Sequence, residues 1–137
     1  EFGYNYRMTD ISAAIGRVQL SKLQKFNTRR QEIADRYNAA LSAYVSVPDN
    51  RRGHVFHQYT VRCKKRDELR QHLDDNGVGT GIYYPTLLYD YSPMKNLKTH
   101  CPNAERLITE VISLPVHPAL TDQDVSTVID TVTSFFE

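Results

Sequence analysis

The sequence predicts an α+β domain: a long N-terminal helix, or two abutting helices, beside a small, mainly antiparallel three-stranded sheet covered on one face by helices. Three observations predict it. Residues 9–47 contain no proline and repeat apolar side chains at helical spacing. Three short runs, 55–61, 78–84 and 111–115, are β-branched or aromatic. The segments joining the elements are too short for parallel crossovers.

Taken in order, Thr9 or Asp10 offers a side-chain oxygen to the free N–H groups of a helix start. Ile11, Ala14, Ile15 and Val18 then begin an apolar face that continues through Leu23, Phe26, Ile33, Tyr37 and Leu41, so helix is expected to about Ala43. Gly16 inside it costs about 1 kcal/mol relative to alanine, which a close helix contact would explain. Pro48-Asp49-Asn50 and Gly53 mark a loop. Val55–Val61 reads as a strand. Arg62-Cys63-Lys64-Lys65-Arg66 is followed at once by Asp67 and Glu68, the pattern of a solvated strand-to-helix turn. Asp67–Asn76 reads as a short helix with Leu69 and Leu73 inward and Gly77 as its stop. Val78–Tyr84 reads as a second strand ending at Pro85, and Thr86–Pro102 as a loop rich in Tyr and Pro. Asn103–Glu110 is expected to be helical and Val111–Pro115 a short strand. Thr121-Asp122-Gln123-Asp124 opens a last helix with Val125, Val128, Ile129 and Val132 inward.

Bulk properties exclude several classes. The chain has 137 residues, enough for one domain with a core of its own. A formal net charge of +1 leaves no electrostatic footprint for nucleic acid or an anionic membrane. No apolar run approaches the ~20 residues of a membrane span, and no stretch has the make-up of a signal peptide. Cys63 and Cys101 are far apart in sequence; reduced thiols in a cytoplasmic protein are the default, with one disulfide as the alternative. Glu1-Phe2-Gly3 reads as mid-sequence, with no initiator Met, so a piece of a longer chain is expected.

The chemistry visible in the residues alone is sparse. His54 and His57 are three apart on an expected strand and so point to opposite faces, and His100-Cys101 has no second pair at zinc spacing, so no metal site is expected. Gly77-Val78-Gly79-Thr80-Gly81 follows a helix and precedes a strand. A phosphate-cradling loop does the reverse, so these glycines are read as a helix stop and a turn. Cys63 stands in a basic setting but at a strand end, where cysteines usually pack. Tyr83, Tyr84, Tyr89 and Tyr91 cluster around Pro85, either as a binding or interface surface or as half-buried rings that pin a loop. No catalytic residue is assigned within the chain.

Four stretches, taken in order, resemble one family. They are Gly3-Tyr4-Asn5-Tyr6-Arg7-Met8-Thr9-Asp10-Ile11-Ser12-Ala13-Ala14-Ile15-Gly16 with Gln19-Leu20 and Arg29-Arg30; His54-Val55-Phe56-His57-Gln58-Tyr59; Gly77–Pro85; and Ala104-Glu105-Arg106 with Ser113-Leu114-Pro115-Val116-His117-Pro118-Ala119-Leu120-Thr121. They resemble the DegT-type sugar aminotransferases of pyridoxal-phosphate fold type I, across nearly all of the chain.

The resemblance implies that residues 1–137 are the C-terminal, small domain of such an enzyme with its linking helix at 9–43, and that the N-terminal domain carrying the cofactor lysine is absent. It implies a parent that uses pyridoxal 5'-phosphate to move an amino group from an amino acid, glutamate foremost, to a nucleotide-linked keto-sugar. That parent would be a cytoplasmic homodimer serving cell-envelope polysaccharide biosynthesis. The fragment is expected to be inactive and to bind no cofactor by itself. Lys22, Lys25, Lys64, Lys65, Lys95 and Lys98 lie outside the family's lysine motif. Asn5 matches the residue that reaches the cofactor phosphate of the partner subunit. Arg7 matches a position beside that phosphate or the donor's carboxylate, with a structural salt bridge as its alternative. Tyr83, Tyr84 and Tyr89 match a segment bordering the sugar-nucleotide pocket. Tyr89 and Tyr91 stand where the family commonly has His and Gln, which puts substrate preference in question. A sugar dehydratase of the same family and a stand-alone small-ligand-binding regulatory module are the alternative readings.

Overall fold

The structure, a computed structural model, describes residues 4, 6–97 and 100–137, with the side chains of residues 95–97 left aside. The apolar repeat of residues 10–41 forms one helix, α1 (Asp10–Leu41, 32 residues), capped by Thr9, whose Oγ1 accepts from the Ser12 N–H. At 1.5 Å per residue it is about 48 Å long. Its two halves differ. Ile33, Ala34, Tyr37 and Leu41 are fully buried, whereas Ile11, Ile15, Val18 and Leu23 on the same stripe are exposed, Ile11 at 76%. A Cβ on Gly16 would meet nothing within 4 Å, so the helix contact expected there is not made by the described residues.

The strands are shorter than the sequence pattern predicts. β1 (Tyr59–Arg62) pairs antiparallel with β2 (Val111–Leu114), Tyr59 opposite Leu114 and Arg62 opposite Val111. The expected third strand, Val78–Tyr84, is reduced to one antiparallel bridge between Gly81 and Ser113, so the sheet has two strands rather than three. The physical reason is local. Gly79 and Gly81 bring no side chain to a pleated face, and the Tyr83 ring lies back over Gly81 instead of extending along β2. A matching single bridge, Ser46 to Arg62, flanks β1 on its outer side. Residues 55–58 also fall outside β1. The Phe56 ring is buried with the backbone at φ +44°, a left-handed conformation that a strand cannot contain, and the His54 Nδ1 accepts the Phe56 N–H at 3.0 Å. His54 and His57 are therefore loop residues.

The helices follow the sequence signals closely. α2 (Arg66–Asp75) ends in a Schellman arrangement. The Val78 N–H donates to the Leu73 carbonyl and the Gly77 N–H to that of Asp74, with Gly77 at φ +74° and Leu73 and Val78 both buried. α3 (Pro102–Glu110) carries proline in its first turn, where the missing N–H costs nothing. The expected loop before it contains two short 3-10 turns, Leu88–Asp90 and Ser92–Leu97. α4 (Asp122–Ser134) opens with a reciprocal capping box between Thr121 and Asp124.

The core lies on one face of the two-stranded ribbon. Tyr59, Val61, Ile112 and Leu114 point into it and meet α1 through Ile33, Tyr37 and Leu41, α2 through Leu69 and Leu73, and α4 through Val125, Val128 and Val132. Two phenols are buried with satisfied hydroxyls. Tyr37 donates to the Pro115 carbonyl at 2.9 Å, Tyr59 donates to Asn38 Oδ1 at 2.7 Å, and the rings meet at 5.0 Å. Burial pushes the ionisation of both well above the ordinary tyrosine range. Cys63 and Cys101 are free thiols, and burial raises that of Cys63.

Two predictions follow from this layout. Leu73→Ala should cost about 2–5 kcal/mol in urea unfolding, whereas Ile15→Ala on the same chain should change stability by less than about 0.5 kcal/mol. Equal losses would mean the N-terminal half of α1 is packed in solution. The second concerns acid. Hydrogen bonding to Arg29 at 2.8 Å, with Arg36 nearby at 3.1 Å, holds the Asp122 carboxyl below its ordinary 3.8. A depressed carboxylate stabilises the fold fully above its unfolded value and loses that contribution as pH falls through the folded one. Asp122→Asn should therefore flatten the stability profile below pH 3.8 and leave its shape at neutral pH unchanged.

Candidate functional site

The face of the ribbon turned away from the core is where the sequence-selected tyrosines meet other polar groups. Thr60 and Ser113 stand opposite each other on it, their hydroxyls 2.7 Å apart. Gly81 bridges the far edge of β2, and Tyr83 and Tyr84 follow it. Two adjoining cavities, about 200 and 230 Å³, share Gln58, Tyr83 and Ser113 as lining. The first continues to Tyr84 and Ile82. The second continues to Arg30 of α1, His57 of the 53–58 loop and His117 beyond β2. Thus α1, the loop at Phe56 and the segment after β2 deliver Arg30, His57 with Gln58, and His117 to a single groove. A larger depression of about 510 Å³, on the other side of His57, is lined by the same loop, and its His54 ring is already engaged by the Phe56 N–H.

Tyr83 forms the wall shared by both cavities. A Cβ at Gly81 would stand 2.9 Å from its Cε2 and 3.0 Å from its Cζ, so the ring occupies space that only glycine leaves. Tyr84 is 80% exposed at the rim. Tyr89 is placed differently. Its hydroxyl donates to Glu105 Oε1 at 2.6 Å, which ties the 88–97 segment to α3 and, through that hydrogen bond first, pushes the Tyr89 ionisation up to about 12. The same bond, with the Cys101 N–H, holds Glu105 below the ordinary range.

The N-terminal candidates lie elsewhere. Asn5 falls outside the described residues. Arg7 is exposed and, among the described residues, makes no hydrogen bond or ion pair. From Asp10 to Arg30 the helix rises about 30 Å, and Tyr6 and Met8 are 88% and 73% exposed rather than folded back onto the body. One copy of the chain therefore keeps Arg7 and the Tyr83 groove apart. The described lysines Lys22, Lys25, Lys64 and Lys65 are all exposed. The described residues of one copy do not fit a pyridoxal-phosphate site, since they offer neither a sheltered amine nor a cradle for a phosphate beside one. Among them, no group of three or more His, Cys, Asp and Glu could hold a metal ion, and no helix is long and apolar enough to cross a membrane.

Sequence reasoning found Tyr83 and Tyr84, and it missed Arg30, His57 and His117 as members of the groove. Arg30 stands in the sequence only as half of an Arg-Arg pair, His57 reads there as a candidate metal ligand, and His117 appears only within the Ser113–Thr121 stretch. Gly81→Ala should displace the Tyr83 ring with little change in the urea midpoint, because an exposed side chain can swing away. Tyr83 ring resonances that stay in place in the variant would refute the contact.

Comparison with known proteins adds the missing context. The chain matches the DegT/DnrJ/EryC1/StrS aminotransferase family over residues 1–133. It is 34% identical over 143 aligned positions to the pleiotropic regulatory protein of Geobacillus stearothermophilus, covering 98% of this chain and 38% of that one. Its fold matches DesV of S. venezuelae, solved in complex with a ketimine intermediate, with a TM-score of 0.92 and 32% identity over 98% of this chain and 38% of that one. It also matches the aminotransferase TlmJ from Streptoalloteichus hindustanus, with a TM-score of 0.87 and 37% identity over 99% of this chain and 38% of that one. The chain thus spans about two-fifths of the length of these relatives. With a match over residues 1–133 and a shared fold across the same span, the chain belongs to the DegT/DnrJ/EryC1/StrS aminotransferase family.

Proposed function

We propose that this chain is the C-terminal, small-domain part of a pyridoxal-phosphate-dependent sugar aminotransferase, which moves an amino group from an amino acid, glutamate foremost, to a nucleotide-linked keto-sugar. The observation that carries the reading is the family match over residues 1–133 in a chain that spans 38% of its relatives. Two structural features support it. The exposed stripe of Ile11, Ile15, Val18 and Leu23 continues the core face of α1 and suits a further protein layer, from the rest of a longer chain or from a second subunit. The separation of Arg7 from the Tyr83 groove suits a homodimer in which Asn5 and Arg7 serve the partner's cofactor phosphate, an amide N–H and a guanidinium both being good donors to it.

In this reading α1 links the two domains, Tyr83 and Tyr84 face the sugar-nucleotide, and Tyr89 shapes the loop behind them through Glu105. The lysine that holds the cofactor belongs to the part of the enzyme outside this chain, and the chain alone does not catalyse. The parent works in the cytoplasm, in cell-envelope polysaccharide synthesis. The name of the Geobacillus relative favours one second reading, a regulatory protein built on the same fold.

The test uses the protein encoded by the complete gene. Purified with pyridoxal phosphate, it should hold the cofactor stoichiometrically and form 2-oxoglutarate from glutamate when a nucleotide-linked keto-sugar is supplied. Stoichiometric cofactor with loss of water from the sugar instead would replace the reading by the dehydratase one; no specific cofactor binding would favour the regulatory one. Asn5→Ala should weaken cofactor retention about tenfold, and unchanged retention would remove Asn5 from the phosphate site.

A further inference from the structure

The groove beside Tyr83 sets several donors around an apolar wall of Leu114, Pro115 and Val116. Arg30, His57 and His117 line the cavity of about 230 Å³ together with Gln58, Tyr83 and Ser113, and none of the lining residues is acidic. Two adjacent arginines on α1 make the contrast clear. Arg29 is committed: it donates to Asp122 Oδ1 at 2.8 Å and to the Leu120 carbonyl at 2.9 Å. Arg30 makes only a long 3.4 Å contact to Asn27 Oδ1, which leaves most of its guanidinium fork unused. Among the described residues, the side chains of His57, Gln58, Tyr83 and His117 make no hydrogen bond. Asp124 lines a neighbouring depression that also includes His117, whose ring lies near enough to act on it electrostatically, and its carboxylate is engaged by Thr121.

We infer that this groove is an oxyanion site, in which Arg30 supplies a permanent charge and a two-pronged donor while His57, His117, Gln58 and the Tyr83 hydroxyl complete the contacts to a carboxylate or phosphate. Arginine at a half-buried position is suited to this task because its planar fork matches both anions and it is always charged. The same charge argues against a cation between the two imidazoles. Ser113, hydrogen-bonded to Thr60 of the adjoining cavity, belongs to the lining, and Gly81 leaves the space that the Tyr83 wall occupies. The inference deepens the aminotransferase reading and rests on it for the source of the anion, either the donor's carboxylate or the phosphate of the sugar-nucleotide.

The test is a titration of the isotopically labelled 137-residue chain at constant ionic strength, with inorganic phosphate in one arm and L-glutamate in the other, followed by backbone amide resonances. Saturable shifts confined to residues around His57, Gln58, Tyr83, Ser113 and His117 are expected with at least one anion. Arg30→Gln should weaken binding at least about tenfold, His57→Gln should weaken it by less, and Lys64→Gln, an exposed cation elsewhere, should leave it unchanged. Saturation by glutamate alone assigns the carboxylate, and saturation by phosphate alone assigns the nucleotide end. Shifts spread over exposed cations, or binding untouched by Arg30→Gln and His57→Gln alike, would overturn the site. The full-length enzyme separates the two claims. Amino transfer at an undiminished kcat/KM in Arg30→Gln sinks the anion site alone, and anion binding in a protein that transfers no amino group sinks the aminotransferase reading alone.

Discussion

The contact between Tyr37 and Tyr59 is the constraint on which the rest of the architecture depends. Neither ring can be buried unless its hydroxyl finds an acceptor. Tyr37 reaches across to the Pro115 carbonyl just past β2, and Tyr59 on β1 reaches back to Asn38 on α1. These two bonds set the angle and height at which the helix crosses the ribbon. Ile33 and Leu41 then fall over the apolar face, and Arg29 and Arg36, on either side of Ile33 in the sequence, reach α4, where Asp122 receives both. A two-stranded ribbon is marginal by itself; here three helices and a pair of locked phenols make it a platform.

The same crossing positions the candidate groove. With the core claiming one face of the ribbon, Thr60 and Ser113 are left on the other. Arg30 lies within reach of that side because it is three residues from Ile33 and seven from Tyr37. The shape of the groove then depends on Gly81. As the one residue of the 78–84 segment that still bridges β2, it trades a longer strand for the space in which Tyr83 lies. The loss of the predicted third strand and the presence of an aromatic wall are one event.

How far the sequence could be read follows from the range of the forces involved. Helix ends were legible where their signals are local: Thr9, Gly77 and the Thr121–Asp124 box each act within one turn, whereas Pro102, read as the end of the loop, is the first residue of α3. Val125, Val128 and Val132 were legible as core because periodicity alone selects them. The strand at 55–61 was misread at its start, since β-branched and aromatic content says nothing of the left-handed backbone at Phe56, which exists to bury one ring under α1. The groove was half legible. Tyr83 and Tyr84 stood out by composition, whereas Arg30 and His117, nearly ninety residues apart, meet only through the tertiary fold. The stripe Ile11–Leu23 was correctly apolar, but no pattern within one chain says which body will cover it.

That stripe gives α1 an uneven lifetime. From Ile33 to Leu41 the helix is anchored in the core by Ile33, Ala34, Tyr37 and Leu41, so its helical hydrogen bonds should open only with the whole domain. From Asp10 to Lys25 the helix buries no large side chain among the described residues and carries Gly16 at its middle, so its stability there rests on intrinsic propensity. A single geometric helix therefore joins a slow segment to a fast one, and whatever body lies on the exposed half would do so partly by slowing it. Binding at one end of α1 would then be felt in the persistence of its hydrogen bonds before any change in its shape.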